Sequence, residues 1–280
     1  MTPGRGPGLA YVALTRPYTV LPLALLAYGI GVATQGPSAR LVVATAALAF
    51  ALGGAFAYND LRDQACDRVN RPARPLVSGR VSGRDVRRLV ALSFGASLAL
   101  AAATASPATV GFVLALALSA LLYSDAIKGI TGLKNVFVGA WCGLLPWGAS
   151  LEGVRPSTML PAVVLVALFA TQKELVADVY DREGDAAAGV RTIPVLAGPR
   201  VGLALVAALA ALLGVVAFSI DPTPPLEGIA LAARAVAVLD VAAALCVLAF
   251  PTRRAVRAYL ELQKAILIGG CLGLFLALAR

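Results

Sequence analysis

The sequence predicts an all-α, polytopic membrane protein, a bundle of nine transmembrane helices with cytoplasmic cap loops. Hydrophobic residues make up 59% of the 280 residues and charged residues only 14%, whereas soluble domains carry about 25% charged residues. A soluble fold of this size could not hide so much apolar surface. The chain contains no histidine, which excludes Ser-His-Asp hydrolysis, His-ligated haem and the usual His-containing zinc sites.

Nine apolar runs define the predicted helices, because one membrane crossing needs about 20 residues. The stretch 89–124 is too long for one crossing and divides near Pro107. The eighth run contains two ionisable residues, which are costly inside a membrane and often functional. We expect Arg234 to reach the outer interface, and Asp240 to line a cavity or to bond to a neighbouring helix. The runs are 17–39, 41–59, 89–105, 107–124, 135–151, 156–172, 201–220, 228–250 and 258–279.

The distribution of lysine and arginine predicts the orientation. With the N-terminus in the cytoplasm, inner loops and helix ends hold 20 of the 24 basic residues, as the positive-inside rule requires. The net charge of +9 is then a topology signal. We expect no nucleic-acid binding, because the basic residues interleave with acids and prolines and form no extended stripe. The long loops 60–88 and 178–200 are predicted to be cytoplasmic, and the short outer loops to lie near 35–38, 106–108, 152–157 and 220–225.

The end of the second predicted helix carries an acidic motif. Asn59, Asp63 and Asp67 have i, i+4, i+8 spacing, so they share one helical face, and Asp60 lies beside that face. Stacked carboxylates repel one another, and the C-terminal end of a helix disfavours anions. We therefore expect a cation to bind there.

A second acidic group follows the sixth predicted helix, where Glu174, Asp178, Asp181 and Asp185 again fall on one face. Two facing sets of carboxylates, without histidine or paired thiolates, predict a hard oxygen site suited to Mg²⁺. Magnesium commonly bridges a few carboxylates to phosphates, so the pattern indicates a diphosphate held at the edge of the bundle. The alternative is a solvated helix end with local salt bridges, but the matching depth and spacing of the two groups favour the metal site.

Several basic side chains near the acidic motifs are candidates to bind the diphosphate. Arg16 begins the first predicted helix, and Lys128 follows Tyr123 in the loop after the fourth. We prefer Arg16 and Lys128, because each lies at a helix end beside an aromatic or proline-constrained segment. For each candidate the alternative is an anchor for lipid head groups. The other candidates lie in or after the first acidic motif: Arg62, Arg68, Arg71 and Arg74.

The chain resembles the UbiA superfamily of intramembrane prenyltransferases. The first motif continues into Asn70-Arg71-Pro72-x-Arg74-Pro75-Leu76-x-Ser78-Gly79, and the second contains the DxxxD of Asp181 and Asp185. Tyr123 with Lys128, and Arg16-Pro17, match further motifs of that superfamily. The resemblance covers nearly the whole chain, as a single UbiA-type membrane domain over residues 1–280.

The resemblance implies Mg²⁺-dependent ionisation of a polyprenyl diphosphate in a central cavity, with two metal ions and a prenyl tail against apolar helix walls. Asp60 and Asp178 would be secondary ligands or outer contacts. The implied metal ligands are Asn59, Asp60, Asp63, Asp67, Asp178, Asp181 and Asp185. The implied substrate contacts are Arg16, Asn59, Arg62, Arg71, Tyr123 and Lys128. Metal and basic charge would stabilise the leaving group, so the catalytic residues would be Asp63, Asp67, Lys128, Asp181 and Asp185.

The resemblance further implies transfer of the polyprenyl group to an aromatic or lipid-like acceptor. The Asn-Arg-Pro-x-Arg-Pro tail is similar to the branch that includes chlorophyll, homogentisate and archaeal glycerol-lipid prenyltransferases, and the acceptor stays open among these. Three positions depart from the usual pattern. Ala177 stands where relatives often have lysine, Asp125 stands where they often have proline, and four residues separate Tyr123 from Lys128 where many members have three.

Two rival functions would use the same sequence features. A UbiA-type terpene cyclase would use the same aspartates without an acceptor, but it must steer a cation with ring faces, and only 6% of the residues are aromatic. A polyprenyl-lipid carrier should show broken helices in matching halves. Both acidic motifs are predicted on one membrane side, which favours a one-sided active site.

Overall fold

The chain forms a helical bundle in the computed structural model, which describes residues 7–148, 151, 156–220 and 227–278. These residues contain twelve α-helices and no strand. A 3₁₀ turn, Ile127–Gly129, follows α6. The helices are α1 Pro7–Leu14, α2 Pro17–Gln35, α3 Ala39–Arg62, α4 Gln64–Asn70, α5 Gly83–Ala103, α6 Pro107–Asp125, α7 Leu133–Gly148, α8 Pro156–Ala187, α9 Ile193–Ala197, α10 Pro199–Ser219, α11 Glu227–Ala249 and α12 Arg253–Leu278.

Local sequence signals set several of the helix starts. The hydroxyls of Ser38, Ser82 and Ser106 each accept a hydrogen bond from a backbone N–H three residues later, at the starts of α3, α5 and α6. Such capping satisfies an N–H that has no partner within the helix. Prolines begin α2, α6 and α10, where the missing N–H costs nothing. The predicted division of 89–124 near Pro107 is therefore confirmed.

Each of the nine predicted segments overlaps a helix in the described part of the chain. Five helices there, α3, α5, α6, α8 and α10, are long and apolar enough to cross a membrane. A sixth span results if α1 and α2, which meet at a 56° bend, count together. The all-helical membrane class is confirmed, whereas the count of nine spans and the cytoplasmic position of the caps stay predictions. The predicted outer loops at 152–157 and 220–225 fall largely outside the described residues.

The helices of the bundle form a closed ring. Contacts run from α2 through α3, α6, α7, α8, α10 and α11 to α12, and α12 packs back against α2. Helix α2 also contacts α7, α12 also contacts α8, and α5 covers α3 and α6. Helices α7 and α8 pack closely, because a Cβ at Gly139 would overlap the side chain of Thr171. Small residues of this kind let helix backbones pack closely in membranes. Large apolar side chains such as Leu92 and Val215 are exposed on the outer surface, as lipid contact would require.

The two ionisable residues of the eighth predicted span have different surroundings. Arg234 donates hydrogen bonds to the backbone oxygens of Phe218 (3.4 Å) and Ile220 (2.9 Å) at the end of α10. Asp240 is fully buried and accepts a 2.8 Å hydrogen bond from the hydroxyl of Tyr259 on α12. Of the two expectations for Asp240, the bond to a neighbouring helix is the one observed.

That bond belongs to a polar network inside the apolar core between α8, α10, α11 and α12. Gln172 donates to the Tyr259 hydroxyl (2.9 Å), and Gln263 donates to the side-chain oxygen of Gln172 (3.2 Å). The network therefore ties three helices together through side chains that are almost entirely buried. None of its four side chains belongs to the two acidic motifs.

Candidate active site

The first acidic motif lies across a helix break. Helix α3 ends at Arg62, and Asp63 separates it from α4 with φ −88° and ψ 2°. The backbone N–H of Asp63 still donates to the oxygen of Asn59 (3.0 Å), and that of Asp67 donates to the oxygen of Asp63 (2.9 Å). Because these i−4 bonds persist through the break, Asn59, Asp63 and Asp67 stay close together, although the predicted continuous helix is interrupted.

The second acidic motif faces the first through the packing of α4 on α8. A Cβ at Gly184 would overlap the amide group of Asn70, so glycine at this position allows the close approach. Asn70 donates a 3.5 Å hydrogen bond to Oδ1 of Asp185. The two sets of carboxylates are therefore brought to the same end of the bundle, as the sequence predicts.

Lys128 connects the loop after α6 to the first motif. Its ammonium group pairs with Asp63 and donates a 3.1 Å hydrogen bond to Oδ1 of Asn59. Asn59 in turn donates to Oδ2 of Asp63 at 2.7 Å. The three predicted site residues thus form one connected group.

Two arginines hold the buried carboxylate of Asp60. Arg16 donates to its Oδ1 at 2.7 Å and Arg74 at 2.9 Å, and Arg74 also pairs with Asp67. Arg16 lies at the bend between α1 and α2 in a left-handed conformation, φ 48°, which is uncommon for a residue other than glycine. The pair with Asp60 fixes Arg16 beside the first acidic motif.

The carboxylate of Asp67 is incompletely compensated by these arginines. Burial raises its pKa above the ordinary value, although the charge of Arg74 acts in the opposite direction. A group whose charged form is disfavoured by burial gains from an added cation. The local electrostatics therefore fit a cation ligand at Asp67.

The second motif has its own basic partners. Asp178 is buried and accepts hydrogen bonds from Nζ of Lys134 (2.6 Å) and Nδ2 of Asn135 (2.9 Å), both on α7. Asp181 pairs through Oδ2 with Arg71, and its buried Oδ1 has no hydrogen-bond partner. Asp181 thus has a free acceptor oxygen for an external cation or donor.

Two predicted substrate residues, Arg62 and Tyr123, contact residues outside the acidic motifs. Arg62 pairs with Asp125 at 2.8 Å, and the hydroxyl of Tyr58 donates to the same carboxylate. Asp125 thus draws Arg62 away from the acidic motifs. Tyr123 stacks on the ring of Phe137 with the ring centroids 5.7 Å apart.

Sequence reasoning missed the roles of three members of the site. Arg74 was only one of several basic candidates, and the roles of Asn70, Lys134 and Asn135 were not predicted. Lys134 and Asn135 do leave a signal, because they are adjacent polar residues at the start of an apolar run. Their assignment to Asp178 depends on the packing of α7 on α8, which the sequence pattern does not specify.

The donor set fits Mg²⁺ in chemistry. Carboxylate and amide oxygens are the ligands that this ion prefers, and Asp181 offers a buried oxygen without a partner. Among the residues described, no three acidic or cysteine side chains converge as a ready metal cluster, because basic side chains pair with the carboxylates instead. The residues that would hold Mg²⁺ are Asn59, Asp63, Asp67, Asp181 and Asp185.

These features define a helical membrane protein with a ring of apolar helices and, at one end, a mixed acidic and basic site suited to a phosphate-bearing ligand. The chain belongs to the UbiA prenyltransferase family, whose family model matches residues 19–276. It is accordingly a prenyltransferase, as the sequence motifs indicated.

Two relatives agree with this assignment. The chain is 34% identical over 230 residues to the digeranylgeranylglyceryl phosphate synthase of Methanopyrus kandleri, covering 79% of this chain and 80% of that protein. It is also 34% identical to the Halobacterium salinarum protein of the same name, covering 82% and 81%.

The fold is similar to that of two solved proteins. A structure described as digeranylgeranylglyceryl phosphate synthase in membranes superposes with a TM-score of 0.72 at 20% identity, covering 98% of this chain and 99% of the other. A UbiA homologue from Archaeoglobus fulgidus, bound to GPP and Mg²⁺, superposes with a TM-score of 0.64 at 22% identity, covering 95% and 99%.

Proposed function

We propose that this prenyltransferase moves a polyprenyl group from its diphosphate to a hydroxyl of a lipid-like acceptor, a glyceryl phosphate that already carries a prenyl chain. The observation that carries the proposal is the meeting of two carboxylate sets across α4 and α8, with Lys128, Arg71 and Arg74 among them. The curated relatives, each 34% identical over about four fifths of both chains, support this acceptor over an aromatic one.

Two Mg²⁺ ions are proposed as cofactors, one for each set of carboxylates. The solved homologue bound to GPP and Mg²⁺ supports the identity of the metal. Asn59, Asp63 and Asp67 would hold one ion, and Asp181 and Asp185 the other. Bound Mg²⁺ supplies neutralisation of the charge that develops on a departing diphosphate.

The remaining work falls to basic and apolar side chains of this chain. Three basic side chains form ion pairs with carboxylates of the site: Lys128, Arg71 and Arg16. They are therefore close enough to bind diphosphate oxygens as the carbon–oxygen bond breaks. Charge fixed in position stabilises a transition state without reorganisation. The apolar walls of the ring keep water away from the allylic cation.

The test is incubation of purified protein with Mg²⁺ and radiolabelled prenyl diphosphates of several lengths, with prenylated glyceryl phosphate, with an aromatic acceptor, or with none. The expected product has the mass of acceptor plus prenyl group minus one hydrogen. Product formed only with the aromatic compound would contradict the acceptor class. Efficient diphosphate release without acceptor, giving a cyclic hydrocarbon, would identify a terpene cyclase.

We also propose an orientation with the N-terminus and both acidic loops in the cytoplasm. The positive-inside distribution supports it. In a background without native cysteines, Ala187→Cys should resist a membrane-impermeant thiol reagent applied from outside, and Thr223→Cys should react. Labelling of position 187 from outside would contradict this orientation.

A further inference from the structure

Glu174 differs from the other acidic residues that line the site. Arginine or lysine pairs with Asp60, Asp63, Asp67, Asp178 and Asp181, and Asn70 bonds to Asp185. Within the described residues, no group donates a hydrogen bond to Glu174. Its one ionic neighbour is Lys173, with Nζ 3.8 Å from Oε1, which is beyond hydrogen-bond distance.

The position of Glu174 places it below the diphosphate end of the site. It precedes Asp178 by four residues on α8, so it lies on the same helical face, about 6 Å further toward the membrane interior. On that face, Asp178 accepts hydrogen bonds from Lys134 and Asn135 of α7, so the face is turned toward a neighbouring helix of the bundle. Glu174 therefore faces the inside of the bundle, and its side chain is still 34% exposed.

Transfer to a hydroxyl acceptor releases a proton, which a base near the acceptor must take up. The bond between the allylic carbon and the diphosphate oxygen breaks, the acceptor oxygen bonds to that carbon, and the hydroxyl proton must leave. The carboxylates at the cytoplasmic end are engaged by basic side chains and would hold the metal ions. A carboxylate without a hydrogen bond, one turn below them, is free to take the proton.

We infer that Glu174 is the catalytic residue that orients the acceptor hydroxyl and accepts its proton. This inference rests on the proposed function, since it requires a hydroxyl acceptor. Diphosphate leaves with both electrons of the broken bond, and the proton stays on Glu174 until it is released to water. Lys173 compensates the charge of the carboxylate between turnovers.

The test compares Glu174→Gln with the wild type and with Glu183→Gln. Glu183 is a matched control, because it lies on the same helix and is strongly exposed, where it pairs with Arg253. General-base catalysis is worth about 10²–10⁴-fold in rate. We expect Glu174→Gln to lower kcat for acceptor transfer by at least ~100-fold, with prenyl diphosphate affinity by titration calorimetry unchanged and Glu183→Gln as active as the wild type.

Glu174→Asp distinguishes proton transfer from a structural role. It keeps the carboxylate, so it should recover part of the lost kcat while KM for the donor stays constant, and it replaces the Gln variant if that protein does not fold. Near-normal transfer by Glu174→Gln, or equal loss of donor affinity and transfer, would overturn the role of Glu174. Failure of the wild type to transfer to any hydroxyl acceptor would instead overturn the proposed function.

Discussion

Asp181→Asn should greatly lower the rate of transfer while changing the stability of the protein only slightly. Asp181 pairs with Arg71 through one oxygen and leaves the other without a partner. The side chain of Arg71 is 38% exposed, so water can solvate its charge after the substitution. A partly exposed pair of this kind contributes about 0–1 kcal/mol, which shifts the melting temperature of a protein of this size by roughly 2–4 °C at most.

The effect on catalysis should be much larger. Asp181 is proposed to hold Mg²⁺ against the leaving diphosphate, and removal of one preorganised charge-stabilising group costs about 10²–10³ in rate. A 100-fold loss corresponds to about 2.7 kcal/mol of barrier, well above the expected loss of stability.

The assay measures acceptor-dependent transfer at saturating Mg²⁺, together with the thermal unfolding of the same preparation in detergent. Glu183→Gln serves as the control for loss of a carboxylate on α8. Transfer by Asp181→Asn within threefold of the wild-type rate would refute the metal assignment. A drop in melting temperature well beyond 4 °C would show that the lower transfer rate also reflects loss of folded protein.

Three further substitutions and one removal test the rest of the site. Asp178→Asn leaves the buried ammonium of Lys134 unpaired, so thermal unfolding should show a loss of about 3–5 kcal/mol; an unchanged melting temperature would contradict the buried pair. Gly184→Ala should lower transfer at least tenfold because its methyl group would displace the Asn70 amide that bonds to Asp185, while Gly95→Ala, where an added methyl group has open space, should not. Arg62→Ala should keep transfer within threefold of the wild type, and a larger loss would return Arg62 to the substrate contacts. Chelation by EDTA should abolish transfer and added Mg²⁺ should restore it, so transfer that survives chelation would exclude the metal requirement.

The sequence was sufficient for features that depend on local periodicity. Apolar runs located every helix of the ring, and i, i+4 spacing placed Asn59, Asp63 and Asp67 together. Other features depend on tertiary packing. The pairing of Arg74 with Asp60 and of Lys134 with Asp178 joins residues from separate segments, and no spacing rule specifies such partners. The break at Asp63 was also not predicted from the sequence. The spacing of Asn59, Asp63 and Asp67 fits a continuous helix, and their i−4 backbone hydrogen bonds persist across the break.

The buried network of Asp240, Tyr259, Gln172 and Gln263 has a consequence for how the bundle assembles in lipid. Acyl chains are as apolar as leucine, so burial of apolar side chains alone does not favour one axial register of α8, α11 and α12 over another. A shift of one helix by a single turn would strand a carboxyl, a phenol and two amides among hydrocarbon, where each unpaired polar group is expensive. The hydrogen bonds among these four side chains can therefore form in only one axial register of α8, α11 and α12. That alignment also fixes the height of Glu174 and Asp178, because Gln172 is part of the same helix.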